Sequence, residues 1–285
     1  MDKVIGLGKL GCAIAEELSK HPEYRIYKIA PGFEERGSLE LGDYNTHEEC
    51  EATVDQDEVT LYLRSIKPQD EILLLVEGGD PASGAILRIL ETIKDSRLNV
   101  LYLCPERSMI SETQKQADKL CFNVLQEYAR SGVFESNFLV DAITVDKLVG
   151  EVSIQKYEQS ISHFISYIVA MINYFHHTEP VLSTKIEPNN IARIVTFGIS
   201  SLEEEKNETS LLFPLNETRD IHFFYGVPEK DLEEDPTLIR KIKDHVKSYK
   251  EDNVSSSFSV YSTTFDSLMV LCLAYSSRIQ PLIET

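Results

Sequence analysis

Basic residues are scarce in this chain. Among 285 residues, 28 lysines and arginines face 47 aspartates and glutamates, a formal net charge of −19. Such a balance repels phosphate backbones, which argues against a nucleic-acid partner and implies an acid-coated surface. Long hydrophobic runs are also absent. The longest, "FISYIVAMINYF" from Phe164 to Phe175, is far short of the roughly 20 residues a membrane span needs, so no membrane insertion is expected. Cys12, Cys50, Cys104, Cys121 and Cys272 are odd in number and scattered, with no C-x-x-C. That pattern suits reduced thiols in a cytoplasmic compartment, several of them packed as small apolar residues. The strand pattern starts at Val4, so no signal peptide is expected. Without secretion, the sequons at Asn207 and Asn216 carry no meaning. No G-x-S-x-G, H-E-x-x-H or Cys/His cluster occurs, and no internal repeat. His176 and His177 are adjacent at a helix end and point about 100° apart, so they cannot share one metal. They are better placed to favour the helix C-terminus.

What is present is enough apolar material for a core. Hydrophobic residues make up 42% of the chain and charged ones 26%, which suits one large or two ordinary domains. "VIGLGKLGCAIAEEL" (4–18) sets Gly6, Gly8 and Gly11 in G-x-G-x-x-G spacing between a strand at 3–7 and a helix at 11–20. Glycines there let the backbone approach an anion, and converging N–H groups at a helix N-terminus hold it. The same glycines also serve a plain tight turn. "YRIYKIA" (24–30) alternates as a second strand, and 31–58 reads as loop with at most short elements. "EILLLVEGG" (71–79) and "NVLYLCP" (99–105) are continuous apolar runs, the mark of strands buried on both faces, with a helix at 82–96 between them. A helix at 114–130 and a strand "FLVDAITV" (138–145) follow. Alternating strands and helices imply a parallel sheet covered on both sides.

A long helix comes next, with an apolar face from Ile154 to Phe175 wide enough to lie buried between two bodies. Beyond Pro180 the pattern changes. "IARIVTFGIS" (191–200) reads as helix or strand with a glycine stop, and "IHFFYGV" (221–227) as a strand. "DPTLIRKIKDHVKSY" reads as a helix capped by Asp235 with Pro236 in its first turn. Two strands, "SFSVYST" and "SLMVLCLAYS", close the chain through tight connections. The expected architecture is α/β. It comprises a parallel-sheet, Rossmann-like nucleotide-binding domain (1–152), a central helix and linker (153–180), and a smaller α+β domain (181–285).

This order of parts, with its motifs, resembles the tubulin/FtsZ superfamily. "GLGKLGCAI" is similar to the family's first phosphate loop, which places Gly6, Gly8, Lys9, Gly11 and Cys12 at a nucleotide. The family's G-G-G-T-G-T-G-A loop falls on "GGDPASGA". Gly78, Gly79, Gly84 and Ala85 are kept, Ser83 stands for the last Thr, and Asp80 departs. The stretch ending in "VDKLV" resembles the family's N-D-K-L-L ending. The resemblance implies GTP or GDP, with magnesium (Mg), and head-to-tail self-association or a protein partner. Departures leave open that no nucleotide binds. Pro81 has no N–H to give, and Asp80 brings negative charge toward the phosphates. Asp80-Pro81 reads instead as a cap and first-turn proline. A magnesium ion bridging Asp80 to a phosphate is the alternative. In "KYEQSISHF", Ile161 and Ser162 stand near the places of the family's base-reading Asn and Asp, and Gln159 or Ser162 is left to bond a base.

The family's catalytic acids lie in a loop after the central helix and act on the neighbouring subunit. Here the aligned stretch is "KIEPNNI". Glu187 falls on the first acid and Asn190 on the second, so GTP hydrolysis is expected to be slow or absent. Lys185, Glu187, Asn189 and Asn190 would then face Asp80 and the glycine loops of the next copy. A separate reading is an NAD(P)-dependent Rossmann enzyme. Against it, Pro31 and Gly32 stand where the ribose-binding acid belongs, and Glu34 is late. Arg36 is placed to meet a 2′-phosphate, which keeps NADP open.

Overall fold

The computed structural model describes residues 1–32, 37–184, 191–202, 209–249 and 254–283. The chain divides into two compact units. One is Met1–Tyr167 with the segment from Ile279 onward, and the other is Ile168–Arg278.

The first unit runs β1 (Lys3–Leu7), α1 (Gly8–Leu18), β2 (Arg25–Pro31), β3 (Ser38–Leu41), α2 (His47–Thr53), α3 (Gln56–Leu63), β4 (Glu71–Glu77), α4 (Ile86–Ile93), β5 (Arg97–Cys104), α5 (Glu112–Arg130), β6 (Ser136–Asp141) and α6 (Ala142–Val149). Its strands lie in the order β3-β2-β1-β4-β5-β6, all parallel. A parallel sheet has both faces covered by its crossover helices, so its strands are apolar throughout. Every residue of β1 is buried, as are Ile72 to Val76 of β4. The chain leaves β1 toward β2 on one side and continues through β4, β5 and β6 on the other. A ligand crevice belongs at such a reversal, beyond the carboxyl ends of β1 and β4.

Some segments differ from the sequence expectation, each for a local reason. Residues 31–58, expected to hold at most short elements, contain the four-residue β3, the seven-residue α2 and the start of α3. Thr46 caps α2 by accepting the Glu49 N–H at 3.2 Å, and Asp55 caps α3 by accepting the Asp57 N–H at 2.7 Å. "AITV" is not strand but the first turn of α6. Asp141 ends β6 and caps that helix, its Oδ2 accepting from the Thr144 N–H at 2.9 Å and the Thr144 hydroxyl at 2.7 Å. The cap overrides the β-branched character of the segment. The expected helix at 82–96 begins as a 3-10 turn over Pro81–Ala85 before α4.

The helix α7 (Tyr157–His176) spans the boundary between the units. The second unit continues with β7 (Leu182–Ser183), β8 (Ile194–Ser200), β9 (Ser210–Leu211), β10 (Asp220–Pro228), α8 (Glu229–Glu234), α9 (Leu238–Ser248), β11 (Ser255–Thr263) and β12 (Met269–Ser276). Its strand order is β8-β12-β10-β11-β7, with β9 beside β8. Within 191–200, residues Ile194–Ser200 form strand and none forms helix. Gly198 lies inside it, paired with Cys272 and Leu211, and does not stop it. β10 and β11 are parallel, and their connection is a crossover through α8 and the expected helix α9. α9 begins two residues later than Pro236 suggests, because Asp235 accepts the Thr237 N–H at 2.8 Å and fixes a turn ahead of the helix. Phe223, Tyr225 and Val227 pack with Ile242 and Val246 of α9 on one face of this sheet. On the other, Phe175 stacks on Phe224 and Tyr261. The segment after Ile279 is tied to α5, where the Gln280 N–H donates to Gln126 Oε1 at 2.7 Å.

Candidate functional site

β1 passes into α1 without an intervening loop. Leu7 stands at the N-cap position and gives no side-chain acceptor to the first N–H groups of the helix. Gly8 has φ +75°, a conformation glycine adopts freely. β4 ends nearby at Glu77 and is followed by Gly78, Gly79, Asp80 and the 3-10 turn. The Asp80 carboxylate lies directly against the α-carbon of Gly8, where a side chain on that glycine would have to go. Its Oδ1 also accepts the Ala82 N–H at 2.8 Å, so Asp80 caps the turn with Pro81 in first position.

The other glycines meet the chain's own groups. A side chain on Gly6 would strike the backbone of Gly11 and Cys12, and one on Gly11 the carbonyl of Leu75. These two bring α1 close to β1 and β4, a packing role. Gly78 abuts Asp118, Tyr102 and Pro105; Gly79 faces Ile110 and Gln114; Gly84 lies under the backbone of α2. Ser83 is buried and its hydroxyl bonds His47 Nδ1 at 2.9 Å, with Cys121 Sγ 3.6 Å away. Cys12 is buried too. Its thiol donates to the Gly6 carbonyl at 3.3 Å, and burial pushes its pKa up to about 11. Lys9 is exposed and pairs with Glu158 at 2.8 Å.

Gly8 and Lys9 thus share the crevice with Asp80. Lys9, Pro31, Asp43, Tyr44, Asp80, Pro81 and Ala82 line a cavity of about 280 Å³. Sequence reasoning missed Asp43 and Tyr44, which lie in the loop between β3 and α2; the "GDYN" turn composition was their one signal. It also missed His47 and Glu77. Of the residues near the family's base-reading positions, Ile161 is buried, Gln159 is exposed, and the Ser162 hydroxyl donates to the Glu158 carbonyl at 2.8 Å. Lys185, Glu187, Asn189 and Asn190 lie outside the described residues, as do Glu34 and Arg36. Among the described residues, no group of three or more His, Cys, Asp or Glu is placed to hold a metal ion. No described helix is long and apolar enough to cross a membrane. All five cysteines are free and buried.

Glu77 ends β4 within electrostatic reach of Asp80 and Lys9. Burial first, and then the charge of Asp80, push its pKa from 4.5 up to about 7. The folded state therefore holds a proton that the unfolded chain has released between those values. Stability contributed here falls as pH rises from about 4.5 to 7, and the loss is complete above 7. Glu77→Gln is expected to be more stable than the parent at pH 8 by about 1–3 kcal/mol, with no difference at pH 4. Urea midpoints at the two pH values test this, and equal gains at both would refute it.

A parallel sheet in the order β3-β2-β1-β4-β5-β6, with a glycine-rich crevice at its reversal, defines a nucleotide-binding type of α/β fold. No family model matches the chain, and no curated protein matches it by sequence. Solved structures do match along nearly its whole length. CetZ2 from Haloferax volcanii, in a GTPγS-bound protofilament, matches with a TM-score of 0.72 and 17% identity, over 96% of this chain and 92% of that one. A GTPγS-form protofilament of TubZ from Bacillus thuringiensis serovar israelensis matches at 0.71 and 13%, over 99% and 88%. An empty FtsZ dimer from M. jannaschii matches at 0.68 and 12%, over 96% and 87%. The chain has the fold of the tubulin/FtsZ superfamily.

Proposed function

We propose that this chain is a tubulin/FtsZ-like structural protein of the cytoplasm. It acts by associating head to tail with its own copies or with a protein partner, and turns over GTP slowly or not at all. The observation that carries this reading is the fold. It is kept over 96–99% of the chain relative to three solved structures, two of them protofilaments and one a dimer. A surface repeated head to tail is heterologous and propagates as a filament where it does not close. Reduced turnover is supported by the crevice. The Asp80 carboxylate lies against Gly8 and would repel a polyphosphate there, Pro81 has no N–H to offer, and the Ser83 hydroxyl is engaged by His47. It is supported again by Glu187-Pro188 and Asn190 in the place of a paired-acid loop.

The net charge of −19 makes copies repel one another at low ionic strength. Salt shortens the reach of that repulsion to about 10 Å at 0.1 M. The free protein is expected to sediment as a monomer or weak oligomer in low salt. Larger species should appear with added salt, crowding agent or a divalent cation, and phosphate release from GTP should stay far below that of an active FtsZ-like protein at matched concentration. A monomer under every condition would overturn self-association. Stable filaments in low salt without ligand would overturn the role given to charge, and brisk phosphate release the reading of the crevice.

A further inference from the structure

We infer that the Asp80 carboxylate is the chain's own occupant of the anion position at the first glycine loop, and that this one charge excludes polyphosphates. The inference rests on the reading of the crevice as a nucleotide-type site. The crevice lies at the reversal of strand order, where such a fold receives its ligand. Gly8 stands with φ +75° at the start of an 11-residue helix whose N-cap residue supplies no acceptor. Such an end carries partial positive charge, and the first N–H groups of a helix have no partner within it. Asp80 reaches it across the sheet from the end of β4. Its Oδ1 is held by the Ala82 N–H, and the carboxylate abuts Gly8. A phosphate oxygen would need the same space.

The surroundings deepen the exclusion without providing the contact. Asp43 lines the same cavity, and Glu77 senses the charge of Asp80. Lys9, the cation among the cavity's lining residues, is paired with Glu158. Asp43 and Glu77 are not the groups set against Gly8, so position and not total charge is decisive. Asparagine at 80 would keep the cap, since Asn and Asp serve equally well there, and would remove the charge.

The experiment is calorimetric titration of inorganic pyrophosphate, and then GDP, into the parent protein, Asp80→Asn and Asp43→Asn. Asp80→Asn is expected to bind pyrophosphate at least roughly tenfold more tightly than the parent, because a like charge in contact is removed. Asp43→Asn should gain much less. Equal gains from the two variants would overturn the inference, since net charge alone would then explain them. So would a folded Asp80→Asn with no gain, or a parent protein that binds as tightly as the variant. Far-UV circular dichroism and urea unfolding establish that each variant is folded. Should Asp80→Asn fail to fold, Asp80→Ser, which also caps, carries the same comparison. A parent protein that binds GTP and hydrolyses it as fast as an active FtsZ-like protein would overturn the proposed function as well. An inert parent with an equally inert, folded Asp80→Asn would overturn this inference alone.

Discussion

Arg107→Ala is expected to lower the stability of the first unit by about 3–5 kcal/mol, because it leaves a buried carboxylate without its countercharge. Asp118 on α5 has no exposed surface, and the Arg107 guanidinium pairs with its Oδ2. Tyr102 donates to Oδ1 at 2.8 Å. Gly78 abuts the same carboxylate, because a side chain there would collide with it. Burial already raises the Asp118 pKa, in spite of the opposing pull of Tyr102 and Arg107. Loss of Arg107 makes the charged form costlier still. The penalty should therefore be largest at neutral pH and shrink in acid, where the carboxyl takes up a proton. Replacing both partners together, as in Arg107→Met with Asp118→Leu, should cost less than Arg107→Ala alone, since no unpaired charge remains. The chain has no tryptophan, so urea unfolding is followed by far-UV circular dichroism. A loss below about 1 kcal/mol for Arg107→Ala at pH 7, the range of exposed pairs, would show the contact to be solvated.

Phe175→Ala should destabilise the second unit by a similar amount, about 3–5 kcal/mol. The ring has no exposed surface; its centroid lies 4.6 Å from that of Tyr261 and 6.0 Å from that of Phe224, both stacked. Removing it leaves a cavity between α7 and the sheet that two rigid rings cannot close. Phe175→Leu fills most of that space and should cost less than about 2 kcal/mol. Gly226 makes the fit tight from below, since a Cβ added there would lie 3.0 Å from the tip of Phe175. Gly226→Ala is therefore expected to be destabilising in the parent and milder in the Phe175→Leu background. A double-mutant cycle on urea midpoints measures that coupling. Strict additivity of the two changes would mean that they do not share a space.

Elements built on strong periodicity were legible in the sequence. "EILLLVE" and "NVLYLC" read as doubly buried strands because a parallel sheet leaves no polar face to interrupt them. α5 and α7 read as helices because one stripe of each is apolar at helical spacing. The short polar helices α2 and α3 carried no such stripe. They rest on caps at Thr46 and Asp55 and on what they pack against, so a periodicity reading passed over them. "AITV" was misread for the opposite reason. Its β-branched residues favour strand, and one carboxylate, Asp141, turned them into a helix.

The site divides the same way. Asp80 as a cap ahead of Pro81 was decided by neighbours within two residues, and so the sequence determined it. Gly6, Gly8 and Gly11 were equally visible as a spacing, but their division of labour was not. Only the approach of α1 to β1 and β4 shows Gly6 and Gly11 to be packing residues and Gly8 to be the one set against a charge. The meeting of Asp80 with Gly8 joins residues more than 70 positions apart. Nothing local foreshadows it, because it depends on β4 pairing with β1 across the reversal of the sheet. The engagement of Ser83 by His47 is of the same kind. Backbone propensity, caps and apolar period act over a few residues and were determined by the sequence alone. Which charges and hydroxyls fill the crevice was decided by strand order, and strand order exists only once the core has packed.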